Sequence, residues 1–300
     1  MPNPILILLC ALCVLCGNIA CQEADDATDR PMTVASLSPA ATDLILGAGL
    51  DDRLVAVSSY DSADVARGRS RPCPTPSQIV RGRSGVGDYL TIDWEKLAEV
   101  RPRLMIIQVH PDRMPDGGID RARAIGATVL PIQIDRLDDI PPAMRAIGQA
   151  IDDAPAFARM EQRWQDRLET VRARVAGREP VRVLIVLNEQ ATFIAGSGSF
   201  LDDVVSIAGG RSAIGADRGA YPTIDREILL AAPPEAIVQI RPNASPAVLA
   251  SAEAHWKTLP DLPAVRDGRV YVITEPWAML PGYRQAELAE RLAEMLHPAR

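Results

Sequence analysis

The chain contains a partial copy of itself. Residues 89–102 read YLTIDWEKLAEVRP and residues 221–234 read YPTIDREILLAAPP, so seven of fourteen positions agree at an offset of 132, three of them consecutive. Each copy runs into an apolar stretch, LMIIQ in one case and AIVQI in the other. Identity at that density is improbable by chance, and it implies a duplicated βα unit with two lobes. Chemistry does not follow from the repeat by itself.

The rest of the chain alternates apolar runs with helical patterns, the signature of parallel strands joined by crossover helices. Strands are expected at 34–38, 54–59, 104–109 and 128–134, with helices at 40–50, 94–101 and 118–126. A helix over 142–151 then leads into a long one over 155–176, where Phe157, Met160, Trp164, Leu168, Val171 and Val175 form one apolar stripe. Strands at 181–188, 236–240 and 270–274 follow, with helices at 200–210, 227–232, 246–256 and 281–296; the stretch 67–87, rich in Pro, Gly and Arg, reads as loop. The fold class is therefore α/β: two Rossmann-like lobes, 33–140 and 181–298, bridged by the helices of 141–178, with a ligand cleft between the lobes.

Residues 5–16 (ILILLCALCVLC) are apolar and uncharged. That run is too short to span a bilayer comfortably, which takes about 20 residues, and it suits the centre of a secretion signal covering residues 1–21. Gly-Asn-Ile-Ala-Cys at 17–21 resembles an imperfect lipobox, with Asn18 where Leu is usual. Two outcomes stay open: lipidation of Cys21, which would tether the protein to a membrane, or plain cleavage near Ala20 to Ala24. Residues 22–32 make a polar tether. Four of the five cysteines lie in the leader, leaving Cys73 alone in the body, so an internal disulfide and a cysteine metal site are both excluded there. The formal net charge of −7 argues against nucleic acid as a partner.

In each copy of the repeat an aspartate, Asp93 or Asp225, stands where a helix begins and is expected to cap it. Glu95 and Glu227 fall in the first turn, one on each lobe, which suits two equivalent contacts with a two-fold partner. Four aromatics lie at expected strand ends, where open α/β sheets bind ligands: Tyr60, Tyr89, Tyr221 and Trp277. His110 follows a strand and is a weaker candidate, as is Arg241, which suits an anionic group. Arg284 reads in the same way as Arg241, each a candidate anion contact but more readily a solvated loop arginine, and His255 and His297 read as surface residues. Gly-Ser-Gly-Ser at 196–199 lacks both the dinucleotide fingerprint and the lysine of a phosphate loop, so Ser199 is expected to start a helix.

With these residues in view, the chain resembles the periplasmic substrate-binding proteins of cobalamin, haem and ferric-siderophore ABC importers, above all the cobalamin-binding branch. The resemblance is carried by VASLSPAATDLILGAGL (34–50), VAVSSYD (55–61), TIDWEKLAEVRPRLMII (91–107), SGSFLDDVVSIAGG (197–210) and TIDREILLAAPPEAIV (223–238). It implies two lobes bridged by one long helix, and a monomer that works outside the cytoplasmic membrane. It also implies docking of Glu95 and Glu227 onto arginines of a permease dimer served by a cytoplasmic ATPase. Tyr60, Tyr89, Tyr221 and Trp277 are implied to surround a corrinoid or an iron complex, although the branch has tryptophans where Tyr89 and Tyr221 stand. Haem or a ferric siderophore is the alternative ligand. No catalytic cofactor and no resident metal are expected. An enzyme on similar lobes is disfavoured because the body, with one cysteine and three histidines, shows no nucleophile–base dyad.

Overall fold

A computed structural model describes residues 31–61, 83–88, 90–109 and 117–298. Cys21, Tyr89 and His110 lie outside the described residues, as do the leader and most of the tether and of the 67–87 loop. The N-terminal lobe is a parallel sheet of β1 (Val34–Ser36), β2 (Leu54–Val57), β3 (Ser84–Gly85), β4 (Leu104–Ile107) and β5 (Thr128–Pro131), ordered β3-β2-β1-β4-β5. The C-terminal lobe holds β6 (Val181–Val186), β7 (Ile194–Ala195), β8 (Gly210–Ser212), β9 (Ala236–Ile240) and β10 (Val270–Ile273). Its order runs β10-β9-β6, with β8 parallel to the start of β6 and β7 antiparallel to its end. The orders β2-β1-β4-β5 and β8-β6-β9-β10 correspond strand for strand, so the duplication seen in fourteen residues extends to both sheets.

The helices are α1 (Pro39–Gly47), α2 (Trp94–Val100), α3 (Gly118–Ala124), α4 (Ile140–Ala150), α5 (Ala154–Val175), α6 (Phe200–Ile207), α7 (Arg226–Ala231), α8 (Pro246–Lys257), α9 (Pro263–Arg266) and α10 (Gln285–Leu296). Their starts follow from local chemistry. Ser38, Asp153, Ser199 and Ser245 each accept from the backbone of the first turn, and α1, α5 and α8 also carry a proline in that turn. Every residue of β4 and β9 is buried, as expected for central parallel strands covered on both faces.

Helix α5 has 22 residues and spans about 33 Å. Its buried positions include all six residues of the stripe expected from the sequence. They join a single apolar cluster that takes in Val34 and Leu104 from one sheet and Val183 and Val238 from the other. The lobes thus share a seam of core as well as a linker. Bidentate hydrogen bonds of 2.7 Å from Arg167 to Glu290 add a polar clamp between α5 and α10.

Several expectations need correction. Within the stretch taken as loop, Ser84 and Gly85 pair with Ala56 and Val57 as β3. The helix expected over 200–210 ends at Ile207, and Gly210 opens β8. Gly209 has φ +78, and a Cβ there would lie 2.6 Å from His297 Nε2, so the chain turns at that residue. His297 is accordingly a buried residue, its Nε2 2.9 Å from the Gly209 carbonyl oxygen. The last helix begins at Gln285 rather than 281, after a 3-10 turn over Pro276–Met279.

Candidate functional site

In each sheet the chain leaves one central strand toward one side and returns to the next strand on the other, from β1 to β4 and from β6 to β9. A crevice opens at the C-terminal ends of such strands, where open α/β sheets hold ligands. In the N-terminal lobe the Ser38 hydroxyl donates to Gln108 Oε1 at 2.7 Å across that opening. Thr42 donates to Asp61 Oδ2 at 2.9 Å, and the adjacent Tyr60, its backbone N–H held by Ser58 Oγ at 3.1 Å, is 60% exposed. A tyrosine left that open beside a buried hydrogen-bond network presents its ring to whatever enters.

The C-terminal lobe answers with a turn after β6. Asn188 Oδ1 accepts from the backbone N–H groups of Thr192 (3.0 Å) and Phe193 (2.9 Å), and this fixes Phe193 at the rim. The Phe193 and Tyr221 rings stack with centroids 6.3 Å apart and 29° between planes. They remain 39% and 44% exposed. Burial of its hydroxyl end, reinforced by Asp135 and Asp203, raises the Tyr221 pKa above the usual phenol value. Phe193 was not expected from the sequence. The signal available was an aromatic a few residues past a strand end, the same signal that marked Tyr60.

Beneath that turn sits Arg241, which is 4% exposed. Its Nη2 donates to the Asn188 carbonyl oxygen and to Gln239 Oε1. Arg241 Nε and Nη1 and Gln239 Nε2 are buried with no hydrogen-bond partner among the described residues. Desolvation lowers the Arg241 pKa from its ordinary value. These buried donor groups lie beneath the turn that carries Phe193.

Two expectations about the last cleft loop change. Trp277 lies at the expected strand end but is only 5% exposed, with the Arg284 guanidinium 5.2 Å from its ring centre. Its ring is therefore largely covered in this structure. Arg284 is not solvated: its Nε donates to Asp43 Oδ1 at 2.7 Å.

The repeat behaves as its residues suggested. Asp93 and Asp225 accept from Lys96 N at 3.1 Å and from Ile228 N at 2.8 Å, capping α2 and α7. Leu97 and Leu229 are the buried residues of these helices, and Glu95 and Glu227 lie exposed in the first turns. Neither glutamate pairs with a cation among the described residues. The segments before the helices differ. Residues 86–88 pair back against 91–93, with Asp93 N donating to Val86 O and Asp88 N to Thr91 O, both at 3.0 Å. Residues 220–224 instead run along β7, with Ile194 N donating to Pro222 O and Ile224 N to Thr192 O. Among the described residues no cluster of three or more His, Cys, Asp or Glu is placed to hold a metal ion. Nor is any described helix long and apolar enough to cross a membrane.

Two parallel-stranded sheets, one in each lobe, joined by a long bridging helix are the architecture of a bilobal binding protein. The periplasmic binding protein family model matches residues 34–276, and the chain belongs to that family. A vitamin B12-binding protein of Vibrio cholerae is 25% identical over 263 residues, 88% of each chain. One of Pectobacterium carotovorum is 22% identical over 287 residues, 95% of this chain and 94% of the relative. Among solved structures, the periplasmic vitamin B12-binding protein of Vibrio cholerae matches with TM-score 0.69 and 25% identity, covering 89% of this chain and 96% of its own. The periplasmic haem-binding protein of the same organism matches in fold with TM-score 0.74 at 20% identity, covering 89% and 99%.

Proposed function

We propose that this protein is the substrate-binding component of an ABC importer. It captures a corrinoid or an iron complex between its lobes outside the cytoplasmic membrane and releases it unchanged to a permease dimer. The observation that carries the reading is the set of open aromatic faces at the strand ends, Tyr60 on one lobe and the stacked Phe193–Tyr221 pair on the other. Such faces suit a large ring system whose apolar surface leaves water on binding. The vitamin B12-binding relatives support cobalamin as the ligand. Tyr89 and His110 belong to the same proposed rim, and secretion by the leader, with or without a lipid on Cys21, supplies the compartment.

A second reading, a carboxylate-bearing iron complex such as haem, is favoured by the buried orphan donors of Arg241 and Gln239, which suit an acidic group. Absorbance titration of the purified protein with cyanocobalamin, haemin and ferric siderophores separates the readings, since each has its own visible band. Absence of saturable binding by every probe refutes both.

Glu95 and Glu227 are proposed as the docking pair, an exposed acid on each lobe with no cation partner among the described residues, for the two halves of a symmetric permease. Reversing both to Lys is expected to abolish uptake while ligand affinity stays within about threefold, because neither is one of the aromatic residues proposed to hold the ligand. Uptake unchanged in the double variant removes the docking role.

A further inference from the structure

We propose that Asp43 and Arg284 are positioning residues that set the gap between the two lobes. Asp43 lies on α1 of the N-terminal lobe, and Arg284 precedes α10 at the far end of the chain, 241 residues away. Arg284 holds the carboxylate twice: its Nε donates to Oδ1 at 2.7 Å and its backbone N–H donates to Oδ2 at 3.2 Å. Both side chains are largely out of water, Arg284 17% and Asp43 5% exposed, whereas Arg136 of another cross-lobe ion pair, with Asp203, is 48% exposed. The two surfaces meet without slack. A Cβ on Gly282 would sit 2.5 Å from Asp43 Oδ2, and one on Gly47 would sit 2.8 Å from the Tyr283 ring.

This contact reaches the proposed ligand rim on both sides. Thr42, next to Asp43, donates to Asp61 beside Tyr60. On the other lobe the Arg284 guanidinium lies over Trp277, and the Gln285 amide donates to the carbonyl oxygens of Trp277 (3.3 Å) and Leu280 (2.7 Å). A buried ion pair adds little net stability compared with an apolar contact of the same shape, yet breaking it strands a charge. It therefore fixes geometry more than it stabilises. The contact lies beside the α5 seam, since the Cβ on Gly47 would also sit 2.9 Å from Met160 Sδ, and by tying α1 directly to the loop before α10 it limits rotation of one lobe against the other. The gap follows from the contact itself. Its consequence for ligand release rests on the proposed capture function.

The test is an inter-lobe distance distribution by double electron–electron resonance. Spin labels go on cysteines introduced at the exposed positions Glu99 (α2) and Glu253 (α8), in the full chain with its five native cysteines replaced by serine. The protein carrying the native pair is expected to give one narrow distance. Arg284→Gln is expected to broaden it toward longer separations, and Arg284→Lys, which keeps the charge, to fall between. If Arg284→Gln does not fold, Asp43→Asn, which keeps the carboxylate's shape, carries the same measurement. A distribution in the folded variant that superimposes on the parent's overturns the proposal. In parallel, stopped-flow release of cyanocobalamin and of haemin is expected to speed up at least tenfold in Arg284→Gln for whichever probe the parent binds. Unchanged release with a broadened gap overturns the link from gap to ligand. Failure of both probes to bind the parent counts against the capture reading and leaves the distance result to decide the positioning role.

Discussion

Replacing Arg241 with Met tests whether this buried arginine is there for the fold or for a ligand. Arg241 is 4% exposed, and it donates from Nη2 to the Asn188 carbonyl oxygen and to Gln239 Oε1 while Nε and Nη1 find no partner. Hydrogen bonds from a charged group contribute about 1.5–3 kcal/mol each, and an orphaned buried donor costs about 1–3 kcal/mol. The substitution loses two of the former and relieves two of the latter, while Met fills similar volume. Ligand-free stability, read by urea unfolding, is therefore expected to change by less than about 1.5 kcal/mol in either direction. A buried arginine whose partners were all satisfied would be expected to cost about 3–5 kcal/mol when removed. Affinity for an acidic ligand should instead fall by roughly 10- to 150-fold, the equivalent of one charge-assisted hydrogen bond. Haemin and its dimethyl ester separate the effect, because only the acid should lose affinity in the variant. A destabilisation above about 3 kcal/mol with haemin and cyanocobalamin affinities unchanged would refute the reasoning and make Arg241 a structural residue.

Other outcomes follow from the same geometry. Phe193→Ala and Tyr221→Ala are each expected to weaken binding of the ring ligand by about 1–3 kcal/mol, with the double variant less than additive because the rings stack on each other; isothermal titration shows this, and unchanged affinities remove the pair from the site. Asp93→Ala and Asp225→Ala should each cost about 1 kcal/mol of stability through loss of a helix cap and leave ligand affinity alone. Burial, opposed by the Gly198 N–H and aided by the neighbouring Asp203, raises the Asp202 pKa in the folded protein. Ionised Asp202 is thus a cost that is present at neutral pH and disappears as pH falls through the folded and then the unfolded pKa. Asp202→Asn should raise the Tm slightly at pH 7, with the difference vanishing near pH 3.

The parts of the molecule legible in the sequence are those set by local chemistry or by a long period. The α5 stripe repeats over about five turns, and β4 and β9 are short, mostly apolar runs, so each announces its own burial. Asp93 and Asp225 cap helices through neighbours three residues on, which any reader of the repeat can see. By contrast β3, β7 and β8 are two or three residues long and carry no period; they exist because a longer strand beside them offers free backbone groups. The charged residues misled for a related reason. Arg241 and Arg284 sit in loops that read as solvated, and their burial is imposed by Asn188, 53 residues before one, and by Asp43, 241 residues before the other. Trp277 was placed at the correct strand end, but the arginine that covers its ring comes from the same long-range contact.

Duplication leaves its strongest mark where a two-fold partner would need it and its weakest where a ligand would sit. The helix starts agree in both lobes: Asp93 with Asp225 as caps, Glu95 with Glu227 as exposed acids, Leu97 with Leu229 as anchors. The inner features have diverged. One copy of the repeat folds back as a hairpin and the other pairs along β7. At the same offset of 132, the position of Arg241 is occupied in the first lobe by Val109 and that of Gln239 by Ile107. The orphaned donors therefore belong to one lobe only. A permease dimer presents the same surface twice and favours keeping both outer faces alike. A cargo without that symmetry meets each inner face once, so nothing holds the two crevices to the same residues. That division is what a carrier between an asymmetric ligand and a symmetric gate requires of a doubled lobe.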